Sequence, residues 1–223
     1  MNKSLFKIIS MLSIPLFLTC GGCAFYDREI EFTPVPSQEM NTETKTDIEI
    51  VHVSEPEDIR GVNPNFIGYV RNGFGIHTAD VLAKRPVKEW VQETLIENLR
   101  AAGYNAVKAE ETTKDGFVID STLTQLYCDI HGFSYKADVS IYIYLKDNNR
   151  VVFSKSYQGE ASAIPVFTTA GEYQDVLLEA MENCINTMMP ELTAKLSKIK
   201  TTRVKPLSSE IDFIPSSNET EPF

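Results

Sequence analysis

Nowhere in this 223-residue chain is there the uninterrupted run of about 20 apolar residues that a membrane-spanning helix needs. The longest apolar stretch, residues 8–18, is broken by Ser10, Ser13 and Pro15. Positive charge is scarce: 21 Lys and Arg stand against 31 Asp and Glu, a formal net charge of −10. Such a surface is repelled by phosphates, so no nucleic-acid partner is expected. Histidine is rarer still, with only His52, His77 and His131. There is no H-E-x-x-H zinc pair and no G-x-S-x-G nucleophile elbow. Gly73-Phe74-Gly75 has neither the third glycine nor the strand–helix setting of a dinucleotide loop. His77 and Asp80 are close in sequence, but a metal needs at least three ligands in reach. Glu110 and Glu111 read as a solvated loop. No metal, cofactor or enzymatic activity is expected.

The chain begins with a short basic segment holding Lys3 and Lys7, followed by the apolar stretch and then small residues. That is the pattern of an export signal. Gly21 and Gly22 directly precede Cys23, as in the lipobox of bacterial lipoproteins, where the cysteine thiol accepts a diacylglyceryl group. Position −3 is Cys20, where that pattern usually has Leu. Cys20 is the alternative lipidation site, but Phe17 and Thr19 before it fit less well. Cys20-Gly21-Gly22-Cys23 is also a C-x-x-C, which is read here as part of the signal because no βαβ pattern adjoins it. Cleavage before Cys23 would leave 201 residues with 31 acids and 19 bases, a formal charge of −12. Membrane attachment then rests on the lipid, and stable anchoring takes more than one acyl chain. Ala24, and not Asp, follows the lipidated cysteine; this points to the periplasmic face of the outer membrane.

Four segments are expected: a signal peptide over 1–22, a lipidated cysteine with a flexible tether over 23–46, one domain over 47–199, and a disordered tail over 200–223. The tether carries Pro34 and Pro36 and little periodicity, although residues 29–33 are a short extended piece able to dock on a sheet. Within the domain, strands are expected at 48–53, 66–70, 105–108, 117–130, 136–145 and 151–157. Residues 136–145 alternate most cleanly. Ala137, Val139, Ile141, Ile143 and Leu145 share one face; Lys136, Asp138, Ser140, Tyr142 and Tyr144 share the other. A helix is expected from Pro86 to about Ala102, with Val87, Val91, Leu95 and Leu99 on one face and Gly103 as its stop. A second helix is expected from a capping box at Thr169 and Glu172, with Pro190 kinking or ending it. The order β-β-α-β-β-β-β-α implies an α+β fold: a two-layer sandwich of a mostly antiparallel sheet with two helices on one face.

Ala101-Ala102-Gly103-Tyr104 at the end of the first helix, the strand run from Thr124 to Ile130 and Lys136-Ala137-Asp138-Val139 together resemble the YajG-type lipoproteins of Gram-negative bacteria. The resemblance spans residues 47–192. It implies an envelope lipoprotein with no assigned enzymatic activity, and a fold similar to the small α/β domain at the start of the periplasmic protein TolB. The tether and tail lie outside it.

Two surfaces are candidates for contact. One is the loop holding Arg71 and Phe74; the other is the sheet face with Tyr142, Tyr144, Lys136 and Asp138. For each, burial against the protein itself is the alternative. Cys128 and Cys184 either pair as a disulfide or sit in the core as small apolar residues. The expected function is protein–protein contact by a lipid-anchored envelope protein, with an unidentified envelope protein or a second copy as partner. The alternative is an accessory lipoprotein of an envelope transport system that binds lipid or a small ligand.

Overall fold

A computed structural model describes residues 26–36, 50–110, 116–132, 134–166 and 168–204. Cys20, Cys23, Ala24 and Glu111 lie outside the described residues, as does the side chain of His131. The elements in chain order are β1 (Arg28–Ile30), β2 (Ile50–Val53), β3 (Glu57–Asp58), β4 (Phe66–Arg71), β5 (His77–Ala83), α1 (Val87–Ala101), β6 (Asn105–Lys108), β7 (Phe117–His131), β8 (Ser134–Asp147), β9 (Arg150–Ala163) and α2 (Ala170–Val204).

Strand β7 organises the sheet because it is longer than most of its partners. One edge of it pairs antiparallel with β8 along its whole length, from Phe117 opposite Asp147 to His131 opposite Ser134. A two-residue turn then returns the chain into β9. Asn148 and Asn149 both take positive φ there, the backbone twist a tight hairpin needs and asparagine tolerates. The other edge of β7 is shared among short parallel strands: β2 at residues 117–119, β3 at 122–123 and β4 at Cys128. Strand β6 extends the branch from β2, while β5 and then β1 extend the branch from β4. Counted by paired residues the nine-stranded sheet is largely antiparallel, and two helices pack against it. This is the expected α+β sandwich. The junction of β4 with β7 needs a glycine, since a Cβ at Gly68 would overlap the Cys128 carbonyl.

The alternation read in β8 is realised. Tyr135, Ala137, Val139, Ile141, Ile143 and Leu145 are buried toward α2, and Tyr142 and Tyr144 face the other way. The capping box also forms: the Glu172 amide donates to Thr169 Oγ1, and the Thr169 amide donates to the Glu172 carboxylate at 2.7 Å. Gly103 takes φ +84° just past α1.

Four local features differ from the expectation. Helix α2 runs unbroken through Pro190, because Cys184, Ile185, Met188, Met189, Leu192 and Leu196 continue one buried stripe across it. The proline ring faces solvent, so packing on both sides outweighs the missing backbone donor. The helix also passes the expected domain end at residue 199. Strand β5 escaped notice because its inward residues, Ala79, Val81 and Ala83, are mostly small and give a weak pattern. Finally, much of the expected tether is built into the fold. Strand β1 pairs parallel with β5, and Ile30, Phe32 and Val35 are buried.

That N-terminal segment explains why α1 buries polar residues. Trp90, the only tryptophan, stacks on Phe32 with centroids 4.1 Å apart and donates from its indole to the Thr33 carbonyl at 2.7 Å. Asn98 donates to the Val35 carbonyl at 2.6 Å, and Thr94 accepts from the Val35 amide. On the opposite side Gln92 donates to the Val53 carbonyl at 3.0 Å. Helix α1 thus has sheet on one side and docked chain on another, so the single apolar face read from the sequence is too narrow.

Candidate functional site

The face of β7–β9 turned away from the helices carries Tyr142 and Tyr144. Their rings lie 4.7 Å apart at 41°, an arrangement favourable to aromatic pairs. The Tyr142 hydroxyl reaches Ser154 Oγ on β9 at 3.4 Å. Both rings are half-buried by neighbouring strands and half open. Beside Tyr144, Lys146 pairs with Asp120, which also accepts from Ser54 Oγ at 2.5 Å. These groups border a shallow polar cleft of about 450 Å³ with Glu55 and Glu57 on its rim.

Lys136 and Asp138 share this face but not this neighbourhood. At about 3.3 Å per residue, Asp138 lies ~13 Å and Lys136 ~20 Å along β8 from Tyr142. The register places them opposite Asp129 and Tyr127 on β7. The sequence grouped the four side chains correctly by face, yet the tyrosines and the charges form two separate patches.

The loop candidates divide as well. Arg71 is an internal clamp. Its guanidinium grips the Asp129 carboxylate through Nε at 2.7 Å and Nη2 at 2.5 Å, and its Nη1 donates to the Gly75 carbonyl. Asp129 is 1% exposed and also accepts from the Tyr127 hydroxyl at 2.7 Å and from the Ile130 amide. Burial by itself would raise its pKa. The bonds from Arg71, Tyr127 and the Ile130 amide, with the charge of Arg71, outweigh that and hold the carboxyl below its ordinary value. Arg71, read as a contact candidate, is thus tied to Asp129 at the root of the turn, and its partly exposed side chain also lines the cleft beside Phe74. Phe74, by contrast, is 91% exposed at the tip of the β4–β5 turn. Ile76, in the same candidate loop, is 61% exposed, and sequence reasoning missed the exposed Ile164 and Val166. The cue was the run Ile164-Pro165-Val166 in the connection after the last strand.

His77 bonds to Asp80 at 2.9 Å and packs beside Tyr69. Among the described residues no three His, Cys, Asp or Glu side chains gather as metal ligands. Cys128 and Cys184 are free and fully buried, so the disulfide alternative is not formed. Burial pushes both thiols up to about 12. The thiolate is the reactive form. Native protein should therefore leave both cysteines unlabelled by iodoacetamide at pH 8, with labelling appearing only in denaturant. Prompt labelling of either one without denaturant would contradict this burial.

The branching of the sheet at β7 and the helices laid on one side define a two-layer α+β sandwich. No protein-family model matches the chain, and no curated protein sequence matches it. Among solved structures, a Xanthomonas campestris protein of the family DUF330 is similar, with TM-score 0.58 at 12% identity, covering 78% of this chain and 98% of its own. The lipoprotein GNA1162 from Neisseria meningitidis is matched more loosely, with TM-score 0.34 at 13% identity over 69% of this chain and 99% of its own. So is PelC from Paraburkholderia phytofirmans, a dodecamer, with TM-score 0.35 at 12% identity over 61% of this chain and 86% of its own. The Xanthomonas likeness shows a shared fold; the two looser matches add no weight to it.

Proposed function

We propose that this protein is a lipid-anchored lipoprotein of the cell envelope, of the YajG type and non-enzymatic, that acts by protein–protein contact in the periplasm. The observation that carries the contact reading is the tyrosine pair, half-buried on the sheet face away from both helices. Two tyrosines offer large contact area at low entropic cost, with hydroxyls that tolerate water until a partner arrives. Strand β9 adds an edge that, among the described residues, pairs with β8 alone, a template on which another chain can build. The partner is an envelope protein or a second copy of this chain. Support for the anchor comes from the sequence: the short export signal, Gly22 before Cys23, and Ala24 favouring the outer membrane. The space between helices and sheet is filled by side chains such as Trp90, Leu95, Tyr173 and Met181, which favours contact over a ligand pocket in the core.

Radiolabelled fatty acid tests the anchor. Label is expected in the wild type and absent from Cys23→Ser, with the wild type fractionating with outer-membrane markers. Undiminished label in Cys23→Ser would move the site to Cys20, and co-fractionation with inner-membrane markers would overturn the location.

A further inference from the structure

We infer that the end of the molecule formed by the β4–β5 turn and the β9–α2 connection rests on the lipid bilayer, with Phe74 as its inserted residue; this rests on the reading of Cys23 as the anchor. Five large side chains mark this end by their exposure: Phe74 at 91%, Ile164 at 80%, Val166 at 72%, Tyr26 at 69% and Ile76 at 61%. Phe74 and Ile164 flank the same cleft of about 530 Å³. Exposed apolar residues scattered singly are ordinary, but a cluster at one end marks an interaction site.

The geometry selects the bilayer as occupant. Strand β1 runs parallel to β5, with Arg28 opposite Val81 and Ile30 opposite Ala83. Followed backward from Arg28, the chain heads toward the start of β5 at His77, and so toward the turn that holds Ile76 and Phe74. Asp27 confirms that direction by accepting from the Asp80 amide at 2.9 Å. Five residues separate Arg28 from Cys23, and a fully extended chain spans at most about 17 Å over that length. A lipid on Cys23 therefore holds this end against the membrane.

The apolar side chains are presented and not loosely hung. Asn72 Oδ1 accepts from the amides of both Phe74 and Ile76, and the Asn72 amide donates to the Ile76 carbonyl. Gly75 takes φ +78°, so the turn closes with Phe74 directed outward. The Arg71 guanidinium ties the Gly75 carbonyl to the buried Asp129. Across the cleft the Val166 amide is held by the Glu172 carboxylate at 2.6 Å. Phe, Ile and Val in a fixed array enter the acyl boundary, while Tyr26 suits the headgroup level. Because the mature chain is acidic, attraction to anionic lipid does not drive this contact; the apolar wedge and the anchor do.

The test uses full-length lipidated protein in phosphatidylcholine vesicles with brominated acyl chains, comparing wild type with Phe74→Trp. Trp90 is buried at 1% exposure, so wild-type emission should be unaffected by bromine. The emission added by Phe74→Trp should shift to the blue on vesicle binding and be lost in brominated lipid. If that added emission stays water-like and unquenched while the protein floats with the vesicles, the inference fails and the anchor reading stands. If wild-type protein carries no lipid and does not float, the anchor reading fails and takes this inference with it. A blue shift that appears without vesicles as protein concentration rises would make the face a contact between copies, and would overturn the membrane assignment.

Discussion

Arg71→Ala is expected to destabilise the domain by about 3 kcal/mol at pH 7, the lower end of what breaking a buried ion pair costs. The lower end applies because the Arg71 side chain is 28% exposed and partly screened. What remains is a carboxylate at Asp129, 1% exposed, that has lost its cation and keeps only Tyr127 and the Ile130 amide as donors. The pH dependence gives the effect its signature. In the wild type the folded pKa of Asp129 lies below its unfolded value of about 3.9. Its contribution is therefore fully present above that value and is lost as pH falls through the folded pKa. In the variant burial is no longer offset by the guanidinium, so the folded pKa moves up and acid relieves the unpaired charge. The gap between the two proteins should accordingly narrow from pH 7 to pH 4 in urea melts. A variant as stable as wild type would mean that Arg71 is a free surface cation and that the clamp is misread.

Gly159→Ala is expected to cost at least as much. Gly159 lies where β9 meets α2, and a Cβ there would overlap the Ala180 carbonyl oxygen and the Cys184 amide nitrogen. Both are helix backbone, so no side chain can swing aside and the helix must shift. Overpacking typically costs about 1–3 kcal/mol, and a clash with backbone on both counts falls at the top of that range or beyond. For a chain of this size that is a fall of roughly 6–12 °C in Tm. Gly73→Ala is the control. It has open space around it and should stay within about 0.5 kcal/mol of wild type. Equal melting temperatures for the two variants would contradict the packing of α2 on β9.

The long periodic elements were legible in the sequence for a physical reason: each buries one face. In β8 a period of two put Tyr142 and Tyr144 opposite Ile141 and Ile143, and the structure keeps that division. The Thr169–Glu172 box and the Asn148-Asn149 turn were equally readable, because their chemistry is local. Elements held by distant partners were legible only in part. Residues 29–33 read as a piece able to dock on a sheet, but nothing local says that β5 receives it, or that Phe32 and Val35 are buried against Trp90, Thr94 and Asn98 on α1. The stripe on both sides of Pro190 is visible in the sequence, but whether packing along it outweighs the missing backbone donor depends on the sheet beneath, which has no local signature. At the candidate site the same rule holds. Which face Lys136 and Asp138 occupy followed from alternation, but the pairing of Arg71 with Asp129 joins residues 58 apart and has no local signature.

The face around Tyr142 and Tyr144 is the surface proposed above to meet a partner. A photo-reactive residue at Ser156, exposed on β9 and opposite Tyr142 in register, reports on that face in intact cells. Irradiation should give one dominant adduct with an envelope protein or a second copy. In the Tyr142→Ala, Tyr144→Ala double variant its yield should fall about tenfold, which corresponds to ~1.4 kcal/mol of contact energy, while the melting temperature falls by only about 2–4 °C, the cost of two half-buried cross-strand rings. An adduct that persists undiminished in the double variant, or no adduct in the wild type, would contradict the account.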